Sequence, residues 1–223
     1  MTTPAQLAFV RPLAAIDAAA MLRLVETNAK RFSAGGLAML PTAPDAFDTW
    51  ISAQGRGPAA SFKVVYGLWI DHGDQDALVG FVGIETLHRF SGAGVWYGVD
   101  KSIQGRGLAK TGVLLAMADF SSRAFESGLA SAGRWILHVH KSNERSAALG
   151  ASLGFQRDEL LDYTRQTSTR GGQRFLGFFN DRSASSIAAE ANSRQMASAM
   201  MAQIDKEGPL RPILNSARKR LSA

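Results

Sequence analysis

The chain has 223 residues, 46% of them apolar and 20% charged, with a formal net charge of +6. That balance excludes a disordered or fibrous chain, and the length fits one domain with an appendage better than two full domains. Cysteine is absent, which removes disulfides, thiolate metal sites and a cysteine nucleophile together.

Residues 7–13 (LAFVRPL) predict a short strand that Pro12 ends. After Asp17, Met21, Leu22, Leu24 and Val25 fall at the spacing of an amphipathic helix. A Gly/Pro-rich stretch from Ser33 to Pro44 predicts a loop. Asp45 opens a second short helix with Phe47, Trp50 and Ile51, which stops at Gly55-Arg56-Gly57-Pro58. Phe62 to Asp71 and Leu78 to Leu87 predict two strands of an antiparallel hairpin, and Val95 to Asp100 a third strand. A glycine-rich turn leads into a helix from Leu108 to Phe125. Trp135 to His140 is the next strand, and Asn143 starts a short helix with Gly154 in the C-cap position. Leu160 to Thr167 and Arg174 to Phe179 predict a closing strand pair around Arg170-Gly171-Gly172.

The predicted order, β-α-α-β-β-β-α-β-α-β-β, is that of a mixed α/β domain over residues 1–182. Residues 183–223 change in composition to Ala, Ser, Met and Gln and predict a helical extension with a basic end. Its stripe of Ile187, Met196, Met200 and Ile204 calls for packing on the domain or on a second copy of the chain. Seven Lys/Arg against four Asp/Glu lie from Asp181 onward, a sparse excess that suits a solvated surface better than a nucleic-acid site. No basic leader precedes an apolar stretch, and no run approaches the ~20 apolar residues of a membrane span, so the expected home is the cytoplasm, with no membrane partner.

Chemistry concentrates in Gln104-Gly105-Arg106-Gly107-Leu108-Ala109. A strand that turns through glycines into a helix presents unpaired backbone N–H groups at the positive end of the helix dipole, where phosphate oxygens bind. A Walker A loop would need glycine where Ala109 and Gln104 stand. A dinucleotide G-x-G-x-x-G would need glycine at Lys110. Both readings fail on the residues that their geometry requires.

Gln104, Gly107 and Ala109 satisfy Q/R-x-x-G-x-G/A, and the chain here resembles the pyrophosphate loop of the GNAT superfamily of acyl-CoA-dependent N-acyltransferases. Asn143-Glu144-Arg145-Ser146 followed by Gly154-Phe155 is similar to the N-x-R-S…L-G-F segment of that superfamily. With Arg11-Pro12-Leu13, Leu78-Val79-Gly80 and Tyr97-Gly98-Val99, the likeness spans roughly residues 7–180 and is closest to the RimJ/RimL-type branch. The resemblance implies a mixed central sheet, splayed between its fourth and fifth strands and flanked by helices. It implies acetyl-CoA as co-substrate and no metal. On that likeness the backbone of Tyr97, Gly98 and Val99 would pair with the pantetheine amides as an added strand does. The turn from Gln104 through Gly105, Arg106, Gly107, Leu108 and Ala109 would hold the pyrophosphate. Arg106 and Lys110 would add charge there, although a solvated helix start is an equal reading of Lys110. Asn143 would reach the pantetheine or thioester, and Ser146 the sulfur.

Acyl transfer needs a neutral amine, a polarised carbonyl and a proton for the thiolate. Direct attack is the family's usual route, with carbonyl polarisation from a backbone N–H near Val99. Glu85, among apolar neighbours on the third strand, is the first candidate base, with a rim glutamate as the other reading. His138 and His140 share one face of the fifth strand, where one can line the cleft. Many relatives place a tyrosine at the position of Gly150, and some a carboxylate at that of Gly94. Ser146, or water, then supplies the proton to the thiolate. The acceptor-facing segments hold Phe32, Phe47 and Trp50 but few acidic residues beyond Asp45 and Asp48. That favours a protein N-terminus, peptide or small amine of low charge over a polyamine. A catalytically silent acyl-CoA-binding module is the alternative, and a homodimer through the extension is a further expectation.

Overall fold

The computed structural model describes residues 7–35, 37, 40, 43, 45–47, 50, 63–72, 75–87, 92–126, 134–165 and 173–207. Strands β1 (Leu7–Pro12), β2 (Lys63–His72), β3 (Gln75–Leu87) and β4 (Gly92–Val99) form an antiparallel run in chain order. β5 (Trp135–His140) then joins β4 in parallel, and β8 (Gln173–Asn180) pairs antiparallel with β5. Two short strands, β6 (Gln156–Arg157) and β7 (Tyr163–Arg165), attach to β8, which completes an eight-stranded mixed sheet.

Central strands covered on both faces read as continuous apolar runs, and β2 does. Val64, Tyr66, Leu68 and Ile70 face one core, while Val65 and Trp69 face another. Helices α2 (Leu108–Glu126) and α4 (Ala184–Glu207) cover the first face, with Leu114, Met117 and Phe120 of α2 and Ile187 and Ala191 of α4 fully buried. Helix α1 (Ala18–Ala34) covers the second through Met21, Leu24, Val25 and Phe32. Helix α3 (Glu144–Ser152) follows β5, and Gly154 ends it at φ +86°, a left-handed conformation that L side chains rarely adopt.

Three expectations change. The segment from Leu160 is a 3₁₀ turn (Glu159–Leu161) before it is a strand: the Asp158 side chain accepts from the Leu160 amide at 3.0 Å, and Leu160 is 92% exposed. β6 is an additional strand. Of the expected stripe, Ile187 is fully buried and docks α4 together with Ala191, whereas Met196 is 69% exposed and does not pack on the domain. Of the second predicted helix, Asp45–Phe47 is helical, while Ile51 and the 170–172 turn lie outside the described residues. The side chains of Met200 and Ile204 lie outside them too. Among the described residues, no helix is long and apolar enough to cross a membrane.

Candidate active site

β4 and β5 start together and then part. Their parallel register holds for Ala93↔Trp135, Gly94↔Ile136 and Val95↔Leu137 only. Beyond that point β4 stays bonded to β3 as far as Val99, and β5 stays bonded to β8 as far as His140. Two strand edges therefore face each other across a gap, presenting backbone polar groups that a central strand would have paired. An extended ligand bearing amides fits such a gap in the way an added strand does.

The gap opens into a cavity of about 800 Å³. Trp96, Tyr97, Gly98 and Val99 form one wall and Leu137, His138 and Val139 the other. Asn143, Arg145, Ser146, Ala148 and Leu149 of the α3 segment close one side, and Gln104, Gly105, Gly107, Ala109 and Lys110 form one end. Phe32 and Leu37 line it from the α1 side. Gly105 and Gly107 adopt φ +76° and +74°, and a Cβ built on either meets nothing within 4 Å. These glycines thus serve a backbone turn that leaves clear space before the first amides of α2. The charged groups among the described lining residues are Arg31, Lys110 and Arg145, with no carboxylate, so the cavity suits an anion.

Hydrogen bonds hold the walls in place. The Tyr97 hydroxyl donates to the Ser146 carbonyl at 3.1 Å, and so ties β4 to α3 across the splay. Burial pushes the Tyr97 pKa up to about 12, which keeps that donor protonated. The Asn143 side chain caps α3 by accepting from the Ser146 amide at 3.2 Å. Arg145 donates to the Gln104 side chain at 3.0 Å, closing the turn against α3. Arg31 donates to the Val99 carbonyl and, at 2.6 Å, to Asn28. Asn28 in turn donates to Asp100 at 2.8 Å. Burial opposes ionisation of Asp100, but the hydrogen bonds from Asn28 and Ser102 outweigh it and hold the carboxyl below its usual range.

The site residues singled out from the sequence fall in three groups. Tyr97, Gly98, Val99, Gln104, Gly105, Gly107, Ala109, Lys110, Asn143 and Ser146 all line the cavity. Leu108 is a core residue at 6% exposure, and the Arg106 side chain is exposed beside the turn. Glu85 is not among the described lining residues: it sits on β3, paired with Lys63 on one side and Gly94 on the other. Of the two histidines, His138 lines the cavity. His140 bonds to the Ser142 hydroxyl at 2.8 Å and packs on Phe175.

His138 Nε2 lies 3.0 Å from the Leu161 carbonyl, which can only accept, so this nitrogen carries the hydrogen and Nδ1 is the basic one. Tyr163 meets the ring edge-on at 4.8 Å. Burial pushes the His138 pKa below its ordinary 6.5, more than the Leu161 bond and the Asp162 charge raise it, so the neutral imidazole prevails at pH 7. Sequence reasoning placed Tyr97 here for its backbone only. The Tyr97 hydroxyl contact and the Arg145–Gln104 contact join residues 49 and 41 positions apart, and no local pattern signals them.

A model of the acetyltransferase (GNAT) domain family matches residues 8–156. No curated protein matches the chain. Among solved structures, a ribosomal-protein-S5-alanine acetyltransferase from Vibrio fischeri is 17% identical, with a TM-score of 0.58 over 77% of this chain and 91% of that one. RimL, a ribosomal L7/L12 alpha-N-protein acetyltransferase solved with coenzyme A, is 14% identical, with a TM-score of 0.60 over 78% of this chain and 94% of its own. The microcin C7 self-immunity acetyltransferase MccE, solved with acetyl-CoA and AMP, is 14% identical, with a TM-score of 0.56 over 78% and 92% of the two chains. At such identities the likeness is one of fold.

Proposed function

Because the chain belongs to the GNAT acetyltransferase domain family, we propose that it is an N-acetyltransferase. It moves the acetyl group of acetyl-CoA to a primary amine on a protein N-terminus, a peptide or a small molecule of low charge. The observation that carries this reading is the unpaired gap between β4 and β5, which opens at one end onto the glycine turn. The gap accepts an amide-bearing arm, and the turn accepts phosphate. Several solved relatives carry acetylation of ribosomal proteins in their names, which supports a protein acceptor.

In this mechanism the amine nitrogen attacks the thioester carbonyl carbon, the C–N bond forms, and the C–S bond breaks. The Val99 amide end of β4 polarises the carbonyl. The amine proton passes to His138, the described lining residue whose neutral form prevails near pH 7. Glu85 is the rival acceptor, reached along the sheet through water. Ser146 lies at the start of α3 beside the gap and serves the departing thiolate, which needs little help at a thiol pKa of about 8–9. The test is thiol release from acetyl-CoA with a panel of amines and N-terminal peptides. Turnover that falls at least tenfold in H138N and little in E85Q supports the assignment, and the reverse order transfers the role to Glu85. Tight acetyl-CoA binding without turnover on any acceptor would instead favour a silent binding module, a reading that Gly94 and Gly150 motivate.

A further inference from the structure

Lys110 occupies the first turn of α2, where a cation opposes the helix dipole. It lines the cavity at the glycine turn, and its ammonium is engaged by protein groups outside that turn. Nζ donates to the Ser152 carbonyl at the end of α3, at 2.5 Å, and lies 3.5 Å from Glu190 of α4. Glu190 is also bound by Arg182 at 2.7 Å and by Arg194 at 2.9 Å. Three cations thus share one carboxylate, and one of them, Lys110, also lines the glycine-turn end of the cavity. The attraction of these neighbours overcomes burial and holds the Glu190 carboxyl down at about 2. Glu190 lies beyond the segment that matches the family model, which ends at residue 156.

We infer that Glu190 is a positioning residue for the phosphate end of the cofactor site, and that through it the C-terminal helix sets the affinity for CoA. It draws Lys110 toward α4 and offsets part of the charge that Lys110 presents to the ligand's phosphates. This rests on the reading of the cavity as an acyl-CoA site. Docking of α4 is carried separately by Ile187 and Ala191, both fully buried, so the carboxylate can be neutralised without undocking the helix. Its loss removes the carboxylate that competes with phosphate for the Lys110 charge, while the Ser152 carbonyl still holds that ammonium beside the glycine turn, so phosphate binding strengthens. A residue of merely structural value would behave oppositely, because loosening the helix weakens binding.

The experiment is calorimetric titration of CoA into the full chain, wild type, E190Q, K110M and the double variant, at low and high salt. E190Q is expected to bind CoA about 3- to 10-fold more tightly near 50 mM salt, with the gain shrinking below about 2-fold near 500 mM as the charges are screened. In the K110M background most of that gain disappears. Unchanged or weaker binding of CoA by E190Q overturns the inference, as does a gain of equal size in the K110M background. Absence of CoA binding by the wild-type chain would overturn the acyl-CoA reading itself, a result distinct from either.

Discussion

Gly105 and Gly107 show how one hydrogen atom can decide a binding site. Both lie in left-handed conformations with open space beyond, so alanine at either meets no protein atom. The costs are backbone strain of roughly 1–2 kcal/mol and a methyl group standing where phosphate would approach the amides. G107A is therefore expected to lower the melting temperature modestly while raising the KM for acetyl-CoA about tenfold, readable from thermal denaturation beside steady-state kinetics. At His138 the signature is pH. Burial lowers its pKa below 6.5, so the unfolded chain binds the extra proton first and the folded protein loses stability as pH falls below 6.5. On the proposed mechanism the same protonation removes the base, so the acid limb of kcat/KM is expected below 6.5 and is expected to vanish in H138N. An acid limb unchanged in that variant would assign it to another group.

Among the elements, α3 depends on its first residue. The Asn143 side chain satisfies the Ser146 amide, and N143A is expected to cost about 1 kcal/mol of stability and to lower kcat by displacing the start of α3 from the cleft. Urea denaturation with parallel turnover assays checks both effects. The elements that could be read from sequence carry their own signals: β2 holds a continuous apolar run and β5 opens on one, α1 has a helical stripe, and Gly154 marks a helix end. β7 falls within the strand expected from Leu160, although a local Asp158 turn takes over the first residues of that apolar pattern. β6 carries no signal: two residues long, it exists because β8 offers an edge to pair with. The site divides the same way. The glycine turn and the Asn143–Ser146 segment are contiguous and so legible. The choice of His138 over His140, the Tyr97 bridge and the Lys110–Glu190 contact exist only once distant segments meet.

For the molecule as a whole, acid stability depends in part on where the N-terminal strand meets α1. Asp17 is 5% exposed and takes two bonds from Arg11, at 2.6 and 2.8 Å. The Arg11 bonds hold its carboxyl below 3.8 against the opposing effect of burial, so the pair contributes stability that is present above the unfolded value and lost as pH falls through the lowered one. R11M is expected to destabilise the fold at pH 7 and to shift acid unfolding to higher pH, monitored by tryptophan fluorescence. The parting of β4 from β5 bears on stability in another way. Among the described residues three pairs join β4 directly to β5, so on the proposed function a ligand lying in that seam acts as a missing strand between the two edges. Saturation at about 100 times the dissociation constant adds about 2.7 kcal/mol to the folded state. On that reading the protein's resistance to heat becomes a gauge of its supply of acyl donor.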